Sequence, residues 1–321
     1  MTEFRSDHRT KPVPARRVSR LFGSVLKQGS RSLSCPDTPR LDGQKVLVTG
    51  GSEGIVLGTC RGLMQRGADV VIAARSSDKG IAAAARLSEE FDRDVIFMRL
   101  DLSDLDSVVE FCRSLHTELG DARLDGLICN AGVMPRRHRT SAQGHELAFA
   151  TNVLGHYLLL RHLVDRLLSE AARVVVVTGD IYILASDCTP DFRFRTPLGG
   201  TLAYCRSKLG NLWIARELQR RHQKLRVRVV HPGVVATGLG GSRPGLADTI
   251  SRRFMLDPDR GAQATLYCAT QDGIPAGAYI HNVLGLMQLS SADPASDNAR
   301  AEQLWDECEQ LCAEKLPPSR Y

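Results

Sequence analysis

A tyrosine and a lysine lie four residues apart in the stretch AYCRSKLGN, at Tyr204 and Lys208. In a helix this spacing places both side chains on one face. A phenol with an ordinary pKa of about 10 is a poor acid or base at neutral pH, but an ammonium group one turn away favours the phenolate and lowers that pKa. The pair is therefore predicted to act as a general acid for a carbonyl that is reduced, or as a general base for an alcohol that is oxidised.

A second chemical group lies where a strand is expected to end, in RVVVVTGDIYILAS from Arg173 to Ser186. Four consecutive valines predict a short strand that is buried on both faces. Gly179 and Asp180 follow it, at the end of the strand where open α/β sheets bind ligands. An ionised carboxylate accepts hydrogen bonds and donates none, so Asp180 is an unusual residue where a substrate oxygen needs a donor.

Glycines follow the first predicted strand in VTGGSEGIVLG, ahead of a predicted helix. Gly50 permits a tight turn, and Gly54 lets the backbone approach a pyrophosphate at the amino end of that helix. Val56 departs from the usual pattern, because its β-branched side chain stands where a third glycine would relieve crowding. A dinucleotide cofactor is expected here. The other residues of the predicted cofactor loop are Ser52, Glu53 and Ile55.

The end of the second predicted strand indicates which dinucleotide binds. Arg75, followed by two serines, suits the 2′-phosphate of NADP, whereas a carboxylate near this point would favour NAD. Glu53 argues mildly against a phosphate nearby. On balance, Arg75 and the two serines favour NADP(H) over NAD(H). Asp101, which precedes Leu102 after the third strand, is predicted either to accept a hydrogen bond from the adenine amino group or to cap the helix that begins near Ser103.

Strand-like and helix-like segments alternate from Leu41 onward. Regular alternation predicts α/β architecture, a doubly wound, Rossmann-like parallel sheet with helices on both faces. Short turns favour a single catalytic domain over 41–316, followed by a tail over 317–321. The predicted strands are 45–50, 69–75, 95–103, 124–132, 173–179 and 227–233, and the predicted helices include 81–91, 107–119, 144–168 and 201–221.

The basic charge of the chain is concentrated in its first forty residues. Residues 1–40 carry nine lysines and arginines and three acidic residues, a net charge of +6 that equals that of all 321 residues. The neutral remainder gives no support for nucleic-acid binding. The segment has the composition of a largely disordered tail, except that residues 16–28 predict a basic amphipathic helix. This helix is expected either to lie on a membrane surface or to pack on the domain.

The nine cysteines form no CxxC pair and no regular framework. Such scattered cysteines indicate reduced thiols in a reducing compartment, and a cytoplasmic location is expected. No metal site is expected, because no set of histidines and cysteines has ligand spacing. An apolar run of 18 residues and a secretory signal near Met1 are both absent from the sequence.

Together these motifs resemble those of the short-chain dehydrogenase/reductase family, in particular its retinol-dehydrogenase-like branch. The resemblance extends over about residues 42–316. It implies hydride transfer between a nicotinamide cofactor and an alcohol or carbonyl. The matching stretches are TGGSEGI, DLSD, CNAG, NVLGHYLL, YCRSK and HPGVVATGL, followed by DPDRGAQATLYCAT, GAYIHN and LWDECEQL, which are similar to the carboxyl-terminal part of that branch.

The resemblance implies a role for each matching residue. Tyr204 would exchange a proton with the substrate, and Lys208 would bind the nicotinamide ribose and tune that tyrosine. Asn152 would hold a water molecule that links the lysine to solvent. The residues expected to line the cofactor are Asn130, Ala131, Gly132, Pro232, Gly233 and Thr237.

One residue of the family pattern is missing. The family has a serine at the end of the fifth strand that donates a hydrogen bond to the substrate oxygen, and here Gly179 or, in a shifted alignment, Asp180 takes its place. Three interpretations follow. A hydroxyl of Thr178, Tyr182 or Ser186 replaces the serine, or Asp180 recognises a donor or cation on the substrate, or the site is impaired.

The sequence thus predicts an NAD(P)-dependent oxidoreductase of an apolar, retinoid- or steroid-like alcohol or carbonyl, with Tyr204 as general acid/base and Asp180 as an atypical catalytic residue. The alternative is an impaired homologue that binds cofactor and serves as a regulatory or scaffold protein. Apolar residues over 181–200 and 238–256 are expected to build the substrate wall. A homodimer and peripheral membrane contact through residues 16–28 are the other expected associations.

Overall fold

The structure is a computed structural model, and it describes residues 15–50, 54–167, 172–235 and 255–317. The strands within these ranges are β1 (Lys45–Thr49), β2 (Asp69–Ala74), β3 (Ile96–Arg99), β4 (Gly126–Cys129), β5 (Arg173–Val177), β6 (Arg226–His231), β7 (Tyr279–His281) and β8 (Gly285–Met287). They form one sheet in the order β3-β2-β1-β4-β5-β6-β7-β8. All neighbouring strands are parallel except β7 and β8, which pair antiparallel at one edge.

Helices cover both faces of this sheet. They are α1 (Ala15–Arg31), α2 (Ile55–Gln65), α3 (Ser77–Phe91), α4 (Leu105–Leu119), α5 (Gly155–Leu167), α6 (Pro197–Arg221), α7 (Pro258–Thr270) and α8 (Asn298–Leu311). A turn of helix (Leu147–Phe149) and a π-helical segment (Ala150–Leu154) lead into α5, and a 3-10 turn (Asp180–Leu184) follows β5.

Successive residues of the central strands alternate between two buried layers, as a period of two requires. In β1, Leu47 packs in the cluster that includes α4, α5, α6 and α8, whereas Val46 and Val48 pack in the cluster that includes α2 and α7. In β5, Val174 and Val175 divide in the same way. The buried valine runs of the sequence are therefore the two-sided core of a parallel sheet.

This architecture confirms the predicted doubly wound sheet with helices on both faces. Some boundaries differ. The strands predicted over 95–103 and 124–132 end at Arg99 and Cys129, because the residues after them leave the ladder for other hydrogen bonds. Asp101, for example, accepts the N–H of Ser103. The helix predicted over 144–168 begins at Leu147 and contains the π-helical segment.

The helix predicted over 16–28 is α1, which runs from Ala15 to Arg31 and packs next to the 3-10 turn after β5. The chain that follows it is tied to the domain, since Leu33 N donates to Asn282 O at 2.7 Å and Cys35 N donates to Gln263 Oε1 at 3.0 Å. Within the described ranges, no helix has the length and apolar character needed to cross a membrane.

Candidate active site

The predicted site residues converge on the carboxyl ends of the parallel strands. The segments that begin at Gly50, Asn130 and Thr178 follow β1, β4 and β5, and the Pro232–Gly233 turn follows β6. These strands are neighbours in the sheet, so their ends form one edge. In parallel α/β sheets this is the edge at which ligands bind.

Helix α6 brings the tyrosine–lysine pair to this edge. The helix begins at Pro197, and the hydroxyl of Thr196 accepts a main-chain N–H of its first turn. Lys208 is 3% exposed, and its Nζ donates to Val177 O at 3.0 Å. The same Nζ lies 5.4 Å from the centroid of the Tyr204 ring. The pair therefore lies beside the end of β5.

Burial changes the acidity of both groups. It lowers the pKa of Lys208 from 10.5 to about 8 and raises the pKa of Tyr204 above its usual range. In the chain by itself the pKa of Tyr204 is raised, because burial removes the hydration of a phenolate, and the lowering expected from Lys208 stays a prediction. Tyr204 is a neutral phenol at physiological pH, which is the form that donates a proton.

Asn152, in the π-helical segment, uses its carboxamide to hold the loop after β4. Val133 N donates to Asn152 Oδ1 at 2.8 Å, and Asn152 Nδ2 donates to Val133 O at 3.0 Å and to Ser207 Oγ at 2.8 Å. A Cβ at Gly132 would lie 3.4 Å from Asn152 Oδ1 and 3.6 Å from Lys208 Nζ. The Gly132 position therefore has space for a methyl group beside the Asn152 amide and the Lys208 ammonium.

His156 connects the Asn152 backbone to Thr49, at the end of β1, and through it to the loop after β4. The hydroxyl of Thr49 accepts the N–H groups of Asn130 at 3.1 Å and of the following alanine at 3.3 Å, and it lies 2.9 Å from His156 Nε2 and 3.3 Å from Ile128 O. The other ring nitrogen, Nδ1, lies 3.2 Å from Asn152 O, which can only accept. The proton is therefore on Nδ1 and the Thr49 hydroxyl donates to Nε2. Burial lowers the pKa of His156 to about 4, so the ring is neutral.

The two described glycines that border the loop after β1 both have positive φ angles. Gly50 has φ 121°, and a Cβ there would lie 3.2 Å from Ala131 Cα and 3.1 Å from Val56 Cγ2. Gly54 has φ 67° and immediately precedes α2, which begins at Ile55. Val56 is 5% exposed and packs in the core beneath the loop. The predicted residues Ser52 and Glu53 lie outside the described ranges.

Asp101, which was predicted to contact adenine or to cap a helix, has a local partner. Its Oδ1 accepts from Ser103 N at 3.0 Å and from Ser103 Oγ at 2.6 Å, so the carboxylate caps this turn. Asp104, one turn later, is the residue that caps α4. Leu102 is buried, and Arg75 is exposed directly after β2.

The turn after β6 is held from outside the sheet. Gly233, which follows Pro232, has φ 92°, and a Cβ there would lie 3.0 Å from Gln28 Oε1. Val234 N donates to Gln28 Oε1 at 2.9 Å, and Gln28 Nε2 donates to Val234 O at 3.1 Å. Thr237, predicted to lie near the nicotinamide, falls outside the described residues.

Gly179 faces Tyr204. A Cβ at Gly179 would lie 3.9 Å from Tyr204 Oη and 3.8 Å from Lys208 Cγ, both ordinary contact distances. Its φ of −141° is extended backbone that any residue adopts. The Cβ of a serine at 179 would therefore fit without strain and lie in contact with Tyr204. Of the two alignments left open by the sequence, this geometry favours the one that places Gly179 at the serine position.

The Asp180 side chain is fully buried and is held by other residues. Its Oδ1 accepts from Arg20 Nη2 at 2.7 Å and from Tyr279 Oη at 3.2 Å, and Arg20 Nε lies 3.3 Å from Oδ2. Burial by itself would raise the pKa of Asp180, but His281, His231 and Arg20 outweigh it and lower this pKa to about 2. Asp180 is thus a carboxylate and donates no hydrogen bond.

Two of the three hydroxyls that were candidates to replace the serine are engaged elsewhere. Thr178 Oγ1 donates to Lys208 O at 2.7 Å. Tyr182 is fully buried, and its Oη donates to Asp293 Oδ2 at 3.2 Å while accepting from Arg20 at 3.3 Å. The third, Ser186, is exposed beyond the 3-10 turn.

Sequence reasoning missed four residues that contact the site loops. Arg20 and Gln28 come from α1, where their spacing with Ser24 at every fourth position is a signal for one polar face turned inward. His156 and Thr49 lie inside motifs that were identified, but no role followed from their spacing, because their hydrogen bonds join residues 107 positions apart.

Known proteins resemble this chain over most of its length. A family model described as short chain dehydrogenase matches residues 44–244. Human retinol dehydrogenase 13 is 33% identical over 312 residues, which cover 92% of each chain, and human retinol dehydrogenase 12 is 35% identical, covering 86% of this chain and 89% of the relative.

Solved structures share the fold. The crystal structure of an uncharacterised protein from Mycobacterium paratuberculosis has a TM-score of 0.70 and 32% identity, covering 89% of this chain and 99% of that one. An alcohol dehydrogenase from Thermococcus sibiricus, complexed with 5-hydroxy-NADP, has a TM-score of 0.59 and 24% identity, covering 77% and 99%.

Proposed function

The chain belongs to the short-chain dehydrogenase family of NAD(P)-dependent oxidoreductases, and from this premise we propose that it interconverts an apolar alcohol and its carbonyl with NADP(H). The observation that carries the proposal is the juxtaposition of Tyr204, Lys208 and the open Gly132 position at the ligand-binding edge of the sheet. A hydride-exchanging nicotinamide and a proton-exchanging tyrosine are the two parts that this reaction needs.

The described residues fit a dinucleotide. The nicotinamide supplies or accepts a hydride when it is bound. Gly50 and Gly54, both with positive φ angles, border the loop ahead of α2 where a pyrophosphate would lie, and Lys208 and Asn152 lie beside the Gly132 position where a ribose would lie. The further cofactor-binding residues in the proposal are Ser52, Glu53, Ile55, Arg75, Asp101, Leu102, Asn130, Ala131, Pro232, Gly233 and Thr237.

Tyr204 exchanges the proton. As a neutral phenol it donates to the oxygen of a carbonyl that is reduced, and in the reverse direction it accepts the proton of an alcohol. Lys208 lies on the same helix face, and its pKa of about 8 lets it carry positive charge at neutral pH and return a proton to the tyrosinate. Asn152 fixes the loop against which both groups are placed.

The cofactor preference and the substrate class rest on residues at the two ends of the site. Arg75 is exposed at the end of β2, where a cation favours a 2′-phosphate and hence NADP(H). Phe192 and Phe194 stack with ring centroids 6.1 Å apart before α6, which supports an apolar substrate wall. The similarity to proteins named for retinol supports the same class of substrate.

A second candidate function has its own supporting observation. Gly179 provides no side-chain donor at the serine position, and loss of one such donor typically costs about 10²–10³ in rate. An impaired homologue that binds the cofactor and acts as a regulatory or scaffold protein is therefore the competing proposal. Asp180 supports neither catalytic donation nor substrate recognition in this account, since Arg20 and Tyr279 occupy its oxygens.

Cofactor titration followed by turnover distinguishes these functions. We expect NADPH to quench or enhance protein fluorescence at lower concentration than NADH, and Tyr204→Phe to bind NADPH normally while losing about 10²-fold or more in turnover of retinal or a steroid ketone. Binding without any wild-type turnover favours the regulatory function. A chain that binds neither dinucleotide contradicts both.

A further inference from the structure

The helix α1 contacts the candidate site through polar side chains. Arg20, Ser24 and Gln28 recur at every fourth position and form its inner side, together with the partly buried Leu21. Leu26, part of the predicted apolar face, is 71% exposed. Hydrogen bonds and the ion pair of the inner side therefore help to set how α1 lies on the domain.

Arg20 makes the first of two contacts with the strand ends. Its Nη2 and Nε lie 2.7 Å and 3.3 Å from the two carboxylate oxygens of Asp180, a bidentate geometry in which the guanidinium matches the carboxylate. The Arg20 side chain is 20% exposed and that of Asp180 is fully buried. Asp180 directly follows Gly179, whose Cβ position faces Tyr204. The Arg20–Asp180 ion pair is thus attached to the chain one residue from the position that faces Tyr204.

Arg20 is the permanent cation of this cluster among the residues the structure describes. His231 Nδ1 accepts from Asp180 N at 3.2 Å, and His281 Nδ1 accepts from Val283 N at 3.0 Å. His281 Nε2 lies 3.7 Å from Asp180 Oδ2, whereas the Arg20 guanidinium, which stays charged in proteins, lies 2.7 Å and 3.3 Å from the two carboxylate oxygens. A buried carboxylate that loses its cation is strongly destabilised, so the turn that carries Asp180 depends on α1.

Gln28 makes the second contact, two turns further along α1. Its carboxamide pairs with both main-chain groups of Val234, accepting at 2.9 Å and donating at 3.1 Å, as a neighbouring strand would. Val234 follows the Pro232–Gly233 turn. One helix therefore holds the segments that leave β5 and β6, on the two sides of the proposed nicotinamide position.

We propose that Arg20 is a positioning residue for the reaction, acting through Asp180 to fix Gly179 beside Tyr204, and that α1 is a strap that holds the ends of β5 and β6. The kinetic consequence rests on the proposed function, whereas the structural consequence does not. Asp180 stands next to the missing serine because it anchors this strap.

Kinetics of full-length variants test the first consequence. Arg20→Met is expected to lower kcat by roughly tenfold or more, since small displacements of reacting groups have large effects, with the Kd for NADPH changed by less than about twofold. Arg20→Lys should retain an intermediate kcat. Asp180→Asn added to Arg20→Met should recover part of the lost rate by removing the unpaired charge. Lys27→Met, on the exposed side of α1, is the matched control and should leave kcat unchanged.

Hydrogen–deuterium exchange of the same variants tests the second consequence without any turnover. Arg20→Met should raise exchange of the amides over 178–184, the added Asp180→Asn should reverse part of that rise, and Lys27→Met should leave it unchanged. Unaltered exchange in Arg20→Met, or equal kcat in wild type and Arg20→Met while Tyr204→Phe is inactive, overturns the proposal and leaves the proposed function standing. In the opposite case, the wild type binds NADPH without turnover while Arg20→Met still raises exchange over 178–184. That result overturns the enzymatic function and supports the proposal that α1 holds the ends of β5 and β6.

Discussion

Lys208 is the site residue whose charge changes closest to physiological pH. Its ammonium is enclosed by α6 and the end of β5, and burial lowers its pKa to about 8. In the proposed mechanism the charged form binds ribose hydroxyls and stabilises a tyrosinate, so cofactor binding should be constant between about pH 6 and 7 and weaken as pH rises through about 8. The measurement is the Kd for NADPH by fluorescence from pH 6 to 9.5.

Two substitutions separate this effect from the general titration of the protein. Lys208→Met should bind NADPH weakly with no inflection near pH 8, and Lys208→Arg should keep its charge and show the inflection at a higher pH, if at all. A wild-type Kd that does not change across this range would show that Lys208 does not bear on cofactor binding.

Glycines in α5 and α2 allow these helices to pack closely against neighbouring segments, and so decide where the helices lie. Gly155 opens α5 directly after the π-helical segment, and a Cβ there would lie 2.1 Å from Leu102 O. Gly155→Ala is expected to lower the free energy of unfolding by about 2 kcal/mol, because a main-chain carbonyl has to move, against a gain of at most about 1 kcal/mol from helix propensity. Urea unfolding measures the difference.

Gly23→Ala in α1 is the matched control, since a Cβ there meets nothing within 4 Å. It should be neutral or stabilise by up to about 1 kcal/mol. Equal stability of Gly155→Ala and the wild type would contradict the close packing of α5 on the loop after β3.

The strand–helix order and the tyrosine–lysine pair follow from local patterns, and the sequence was sufficient for them. The effect of having valine at position 56 could not be predicted from neighbouring residues in the sequence. Its side chain enters the core, and the glycines that permit close packing are Gly58 and Gly62, whose Cβ positions would meet Asp259 Oδ1 at 2.9 Å and Leu266 Cδ1 at 2.3 Å on α7. The close contact that requires glycine thus occurs between α2 and α7, at Gly58 and Gly62, and not at Val56. The spacing of glycines in the sequence does not reveal which helix packs there.

The residue that takes the serine position could not be decided from the sequence for a related reason. A shift of one residue after β5 exchanges Gly179 for Asp180, and what distinguishes them is the partner of Asp180, which is Arg20, 160 positions away. A long-range ion pair leaves no sign of its partner in a single sequence, so packing of α1 on the domain was one of two expectations and its contact with Asp180 could not be predicted.

The molecule as a whole should be sensitive to acid. Burial lowers the pKa of His156 to about 4 and that of His231 to about 3, both from 6.5. The unfolded chain takes up these protons near pH 6.5, whereas the native chain does not until about pH 4, so the free energy of unfolding falls as pH falls through this interval. Each histidine contributes on the order of 3 kcal/mol to this loss.

Urea midpoints at pH 7.5, 6 and 4.5 measure this dependence. His156→Gln should remove part of it, whereas His116→Gln, on the exposed surface of α4, should leave it unchanged. A midpoint that is constant over this range would mean that the two imidazoles gain protons in the native state without cost.

We propose that Gly179 takes the position of the substrate-binding serine in the site of this short-chain dehydrogenase. Gly179→Ser and Gly179→Ala add the same Cβ, 3.9 Å from Tyr204 Oη, and differ by one hydroxyl. The most direct measurement is kcat/KM of both variants with NADPH and an apolar ketone. We predict that Gly179→Ser exceeds the wild type by about 10²-fold and that Gly179→Ala does not. Equal rates in the two variants would contradict the account.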